Sequence, residues 1–260
     1  MIKFFRKIRY DLMRKNNTGR YLKYAIGEII LVVLGIVIAL QINNWNEQRK
    51  ENKIEHALLV RLEKEFKSNK AQLLSKIEIR KAIIENCDRL LEYYNDPGTA
   101  DRDSIFFYLS SIRPTTFDPV QNDLVSSGTV EILKSEALKQ LLINWSTDVI
   151  QLQEVEQIFL RYGEQSFQSY TTEIGIQRDI AFNFWKQAYT SMLESKEVKN
   201  SIPGKSKLGA MTTAQLLTDP RLEGVIAQTL NLNQFNNQES ETLMKRINQI
   251  LEVLDAEIRN

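Results

Sequence analysis

Hydrophobic positions follow two kinds of pattern along this chain. Residues 29–40 are an unbroken apolar run, IILVVLGIVIAL. Beyond it the apolar residues recur in steps of three, four and seven. Leu59, Leu62, Phe66, Leu73, Ile77, Ile84 and Leu91 form one such set, the stripe of an amphipathic helix that packs on others. Neither glycine nor proline occurs from residue 36 to residue 96, which permits one very long helix. Asparagine is a poor helix former, so Asn43, Asn44 and Asn46 around Trp45 predict a hinge within it. Asn95, Asp96, Pro97 and Gly98 supply strong turn chemistry at its end.

A short helix with Ile105, Phe106, Leu109 and Ile112 follows, capped by Asp103 or Ser104 and stopped at Arg113 and Pro114. Asp118 and Pro119 read as the cap and first residue of another helix, running to about residue 126, with Gly128 as a left-handed C-terminal cap. Ser135 caps a second long helix carrying Leu138, Leu141, Leu142, Trp145, Val149, Leu152, Val155 and Phe159, which continues past Gly163 to about residue 174. The aromatic-rich residues 180–194 predict a helix, and residues 201–211 a loop. Asp219 and Pro220 start a third long helix, which the Asn/Gln-rich residues 231–238 are expected to bend or interrupt. No segment alternates with period two. The chain reads as all-α: an N-terminal transmembrane helix, then an elongated antiparallel helical bundle of three long helices plus short ones.

The membrane reading rests on length and flanks. Twelve apolar residues fall short of the ~20 needed to cross a hydrocarbon core, but residues 21–42 make 22. Their strongly polar members, Lys23, Glu28 and Gln41, lie towards the ends, where side chains can snorkel. Tyr21 and Tyr24 on one side and Trp45 on the other fit the interfacial anchors of a span. Residues 40–43 offer no small-residue cleavage site, which argues against a signal peptide.

Charge sharpens this picture. The formal net charge of +1 is a sum of opposites. Residues 1–24 hold eight basic residues, Lys3, Arg6, Lys7, Arg9, Arg14, Lys15, Arg20 and Lys23, against the single acid Asp11, for +7; the rest of the chain is −6. On the other flank only Arg49, Lys50 and Lys53 are close by. The positive-inside bias puts the N-terminus in the cytoplasm and the body beyond the bilayer. Met1, Phe5, Ile8 and Leu12 are spaced for a short surface helix, so the basic arm suits an anionic inner leaflet. With no nucleic-acid fold around it, a nucleic-acid partner is not expected. The organisation is a basic amphipathic arm over 1–20, a transmembrane helix over 21–45 and a helical-bundle domain over 46–260. Within the span, Gly27, Leu31, Gly35 and Ala39 form a ridge at four-residue spacing, with Glu28 seven residues from Gly35. Gly35 and Ala39 are a small-xxx-small pair that lets helices approach closely. The alternative is that Glu28 sits at headgroup depth and the glycines face lipid.

Candidate chemistry is sparse. One histidine, His56, and one cysteine, Cys87, exclude multi-histidine and multi-cysteine metal sites and an internal disulfide. Phosphate-cradling loops, metalloprotease motifs and nucleophile elbows are missing from the sequence. His56 reads as a solvated stalk residue and Cys87 as a buried structural thiol. Asp101 with Asp103 reads as cap chemistry, and Glu239 with Glu241 as a solvated face. Phe182, Phe184, Trp185 and Tyr189 could line an apolar ligand pocket, although core packing is the commoner use of aromatics. No cofactor, metal or catalytic residue is expected.

Residues 23–47, KYAIGEIILVVLGIVIALQINNWNE, resemble the N-terminal signature of a bacterial family of unknown function whose members join a basic start, a single span and a helical body. Residues 117–142, FDPVQNDLVSSGTVEILKSEALKQLL, resemble a second recurring stretch of that family, an L-x-S-S-G turn between helices. The resemblance implies a single-pass protein of the bacterial inner (cytoplasmic) membrane with an extracytoplasmic, periplasmic body, and it carries over no activity. The expected role is non-enzymatic: a scaffold or accessory subunit of an envelope assembly, as a homo-oligomer or part of a larger membrane complex. The alternative is an extracytoplasmic sensor or ligand-binding module that signals through a partner.

Overall fold

Three long helices carry the chain: α1 (Thr18–Asn95), α3 (Glu136–Tyr162) and α7 (Pro220–Arg259). Between them lie α2 (Arg102–Ser111), α4 (Ser169–Glu173), α5 (Gln177–Lys186) and α6 (Thr213–Leu216), with single 3-10 turns at Pro97–Thr99 and Thr129–Ile132. The structure is a computed structural model describing residues 10, 18–120, 129–186, 189–190, 197–198, 200–208 and 211–259. The all-α reading holds, with one addition: β1 (Tyr189–Thr190) and β2 (Glu197–Val198) form a two-residue antiparallel pair. The chain divides into two compact units, residues 1–58 and 59–260.

In the first unit residues 29–40 of α1 are apolar without a break and exposed throughout. Ile29, Leu31, Val33, Ile36 and Ile38 are each 51–63% exposed, and the most apolar 18-residue window has a mean hydropathy of 2.6 with none of it buried. The hinge expected at residues 43–46 is absent, and α1 runs through it unbroken. Helix-propensity penalties of ~0.5 kcal/mol per asparagine are too small to break a helix in progress.

In the second unit the buried positions of the long helices step by three and four. On α1 they are Leu59, Leu62, Phe66, Asn69, Leu73, Ile77, Arg80, Ile83, Cys87 and Leu90. The seam therefore runs through Ile83 and Leu90, with Ile84 and Leu91 flanking it half-buried. On α3 it follows Leu138, Leu142, Trp145, Val149, Leu152, Glu156 and Phe159; on α7 it runs from Leu222 through Asn233 and Asn236 to Leu254. This is the spacing that keeps one face of each helix towards its partners. Stepping the α1 register back from Leu59 meets Glu55, Asn52, Gln48 and Trp45. The apolar seam stops there although the helix does not, which is why the unit begins at Leu59.

The contacts set the helix directions. Phe66 meets the Trp145 ring at 5.1 Å and Arg80 meets Glu156, so α1 and α3 run parallel. Arg246 pairs with Asp148 at 2.9 Å and the Tyr162 hydroxyl reaches the Val225 carbonyl at 3.4 Å, so α7 runs antiparallel to α3. Parallel neighbours need a return connection, and residues 112–120 begin it. Thr115 bonds Arg80, Asp118 bonds Gln72 and Val120 bonds Asn69, so this stretch retraces α1 backwards as extended chain. The helix expected to start at Asp118 and Pro119 is not there, since these residues are extended. The rest of that expected helix and Gly128 lie outside the described residues.

Local chemistry explains the other boundaries. Asp101, not Asp103 or Ser104, caps α2 by accepting from the Ser104 N–H at 2.9 Å. Ser135 caps α3 as expected. The helical path continues through a π-helical segment, Gly163–Gln168, into α4, which ends at Glu173. The π turn inserts a residue, and the buried positions run on through Gly163, Phe167 and Tyr170. The helix expected over 180–194 ends earlier, at Lys186, and Tyr189 pairs instead with Val198, in keeping with the strand preference of aromatic and β-branched residues. The interruption expected at 231–238 does not occur: α7 is one helix from Pro220 to Arg259. Asn233 donates back to the Thr229 carbonyl of its own helix at 2.8 Å and Asn237 donates across to the Ile77 carbonyl at 3.3 Å, and the helix runs through both positions without a break.

Asp219 begins α7 by accepting from the Arg221 N–H at 2.9 Å and from the Tyr170 hydroxyl. Burial pushes its carboxyl up, but Tyr170, the Arg221 and Leu222 N–H groups and the Arg221 charge outweigh that and hold it below the ordinary carboxylate range. Its contribution is therefore present above the unfolded value and lost as pH falls through the folded one. We expect Asp219→Ala to cost about 1–2 kcal/mol at neutral pH. The gap to the parent protein should close below about pH 4, read by denaturant titration at a series of pH values.

Candidate functional site

Two features stand apart from ordinary packing, one in each unit. The first is the apolar part of α1. Gly27, Leu31, Gly35 and Ala39 follow one another at four-residue spacing and so share a helix face. Leu31, Gly35 and Ala39 are exposed, while Gly27 and Glu28 are half-buried. A Cβ added to Gly27 or to Gly35 would meet nothing within 4 Å. Among the described residues nothing crowds either position. Trp45 is 65% exposed and Lys23 is exposed. Arg20, Tyr21 and Tyr24 lie on the helix, but their side chains fall outside the described residues, as do Lys3, Arg6, Lys7, Arg9, Arg14 and Lys15 altogether. Oriented apolar surface of this extent, left in water, forgoes ~1.5–3 kcal/mol for each large side chain that burial would supply.

The second feature is a polar layer inside the bundle. Arg80 and Glu156 are each 1% exposed and form an ion pair at the centre of the three-helix seam. The guanidinium is shared widely. Its Nε donates to Thr115 Oγ1 at 3.0 Å, and its Nη1 to Ser240 Oγ at 2.6 Å and Asn237 Oδ1 at 3.4 Å. The other carboxylate oxygen of Glu156 accepts from the Phe117 N–H at 2.7 Å. Burial works against both charges. It pushes Arg80 down and Glu156 up, and the pair opposes the shift on each side, helped at Glu156 by the Phe117 N–H and Lys76. On α7 the layer is extended by Thr229, Asn233, Asn236 and Ser240, all at most 1% exposed. Asn233 Oδ1 and both polar atoms of the Asn236 amide have no protein partner.

Around this layer the extended residues 115–120 lie along α1 and α3. Thr115, Phe117 and Pro119 are buried while Thr116, Asp118 and Val120 are exposed, the alternation of a strand. Among the described residues no strand pairs with it; side chains do. The Asn69 carboxamide both donates to the Val120 carbonyl at 3.2 Å and accepts from its N–H at 2.8 Å. Gln72 does the same for Asp118, at 2.9 and 3.1 Å. Gln153 donates to the Phe117 carbonyl at 3.1 Å. Beside this strap opens a cleft of about 870 Å³ whose lining includes Thr116, Asp118, Ile150, Glu154, Gln157 and Arg161.

The remaining sequence-picked residues fall in ordinary roles. Cys87 is fully buried in the apolar cluster with Leu90, Phe106 and Ile226, and burial pushes its thiol up to about 12. His56 is exposed. Phe182, Phe184 and Trp185 are half-buried, with Phe184 and Trp185 edge to face at 5.1 Å. The nearby cleft of about 530 Å³ is lined by Asp101, Asp103, Asn183 and Lys186 with Phe107 and Tyr108, not by those aromatics. The Tyr189 side chain lies outside the described residues. Among the described residues there is no cluster of three metal-ligating side chains. Sequence reading passed over Arg80, Glu156, Asn69 and Gln72. The available signal was a polar residue at Asn69 and Arg80 on the same three-and-four spacing as Leu62 and Phe66.

Removing one member of a buried ion pair leaves the other charge unpaired in the core. Arg80→Met is therefore expected to cost about 3–5 kcal/mol in urea unfolding. Adding Glu156→Leu should recover part of that loss, because the double variant buries no lone carboxylate.

Residues 28–95 match the model of a family of unknown function, DUF6090. The match takes in residues 28–47 of the signature stretch and α1 to its end, whereas residues 117–142 lie outside it. No curated protein and no solved structure matches the chain.

Proposed function

We propose that this is a non-enzymatic, single-pass membrane protein whose helical bundle serves as a scaffold or accessory subunit of a membrane assembly, and that it self-associates. The observation that carries this reading is the contrast between the two parts of α1. Residues 59–90 present one apolar stripe, and it is buried; residues 29–40 are an unbroken apolar run, and all of them are exposed. A helix of the second kind is stable in hydrocarbon, where its backbone is internally bonded and its side chains match the solvent. The eight basic residues before it, against three close behind, favour a cytoplasmic N-terminus and a body on the other side. An alkaline phosphatase fusion after Asn260 is expected to be active and a cytoplasm-dependent reporter at the same place inactive; the reverse pattern would overturn the orientation.

The ridge of Gly27, Gly35 and Ala39 supports self-association. Among the described residues the glycines relieve no crowding, and a larger residue there would be costly against a neighbouring helix. Gly35→Leu is expected to weaken self-association in bilayers, measured by energy transfer between labelled copies, without changing bundle stability. Unchanged transfer would remove this face as the interface.

A further inference from the structure

The seam face of α7 turns polar in the middle of the bundle. Thr229, Asn233, Asn236, Asn237 and Ser240 lie on it in steps of three and four, and all are buried. Most of their polar atoms have partners. The Thr229 hydroxyl donates to the Val225 carbonyl at 2.8 Å, and the Asn233 amino group to the Thr229 carbonyl. Asn237 and Ser240 hold Arg80, and Asn237 also donates to Ile77. Asn233 Oδ1 and both ends of the Asn236 carboxamide remain, without a partner among the described residues, on side chains 0% and 1% exposed. Buried polar groups of folded chains are bonded, to protein or to ordered water.

Neighbouring contacts place these atoms. On α7 they lie between Val225, which Tyr162 reaches, and Ser240, which shares Arg80 with Glu156. The stretch of α3 at their level therefore runs from Glu156 to Tyr162, and Gly163 adjoins it. Gly163 is buried, next on the seam after Glu156 and Phe159, and the π segment it opens packs against α7. A Cβ added to Gly163 would meet nothing within 4 Å, so the core has room beside it.

The unpaired atoms select what fits there. They are two carbonyl oxygens and one amino group. A cation would meet the Asn236 amino group and the Arg80 guanidinium, an anion the two carbonyl oxygens and Glu156, and an apolar molecule would satisfy none of them. Water both donates and accepts, and two to four polar partners suffice to hold it inside a protein. We propose that α3 and α7 enclose an internal hydration site at Gly163, in which bound water bridges Asn233 and Asn236 beside the Arg80–Glu156 pair. The polar layer is then complete, its α7 half bonded through water as its α1 half is bonded through arginine.

Gly163 has helical φ and ψ of −57° and −43°, so alanine suits its backbone and has the better helix propensity. In a dry space Gly163→Ala raises stability. Where the added methyl expels bonded water, the sign reverses. For the full-length chain in micelles, Gly163→Ala is expected to lower the urea midpoint. In an Asn236→Leu background, where less holds the water, that lowering is expected to shrink or reverse. A raised midpoint overturns the proposal, and so does a loss that Asn236→Leu leaves unchanged, the mark of a clash with protein. The parent protein gives a second reading. With isotope-labelled asparagine, the Asn236 side-chain N–H signals are identified by their absence from Asn236→Leu. They are expected to show magnetisation transfer from long-lived water. Absence of that transfer overturns the site, even where Gly163→Ala does not fold.

Discussion

A guanidinium keeps its charge at any pH this chain meets, so burying one obliges the fold to surround it. Arg80 is 1% exposed, and each element that converges on it brings one answer: Glu156 from α3, Asn237 and Ser240 from α7, Thr115 from the strap. Apolar seams with a three-and-four repeat can slide past one another by a turn at modest cost. A charge with partners on three other elements cannot, because a one-turn slip would strand it. Polar residues at core positions of heptad-spaced helices are best attested in this register-setting role. The register of α1, α3 and α7 against one another and the placing of Thr115 on the strap meet that constraint.

The same constraint accounts for the strap's form. Once the chain returns along α1 to reach α3, its peptide groups lie at the buried boundary of two helices that have already satisfied their own backbones. Unpaired buried N–H and C=O groups are costly. The carboxamides of Asn69 and Gln72 offer a donor and an acceptor at the spacing of a peptide group, and Gln153 and Glu156 complete the set from α3. Glu156 thereby links the two tasks, bonding Arg80 with one oxygen and the Phe117 N–H with the other. Ion pair and strap form one network, in which removing a member affects the rest.

Much of the fold was legible in the sequence, and for identifiable reasons. Uniform apolarity over 29–40 and periodic apolarity beyond residue 58 describe helices meant for different surroundings, and the exposures of Leu31 and Leu62 differ accordingly. Ser135 and the pair Asp219 and Pro220 started helices where cap chemistry said they would. The failures share a cause. Asn43 and Asn44, residues 231–238, and Asp118 with Pro119 were judged by local propensity, which is worth tenths of a kcal/mol to about 1 kcal/mol per residue. Tertiary partners decided each of the last two: Asn237 bonds Ile77 from across the core, and Asp118 is claimed by Gln72 before it can cap anything.

What the sequence determined by itself is therefore the one-dimensional part: which stretches are helical, which carry a stripe and which are apolar all round, and how charge divides about the apolar run. Those properties depend on neighbours a few residues apart along the chain. What only the tertiary structure decided is the relative direction of the long helices and the site at their centre. Arg80 and Glu156 are 76 residues apart, Arg80 and Ser240 are 160 apart, and Asn69 and Val120 are 51 apart. No local pattern encodes such pairs, since a buried arginine and an exposed one look alike until the groups that neutralise it are brought alongside.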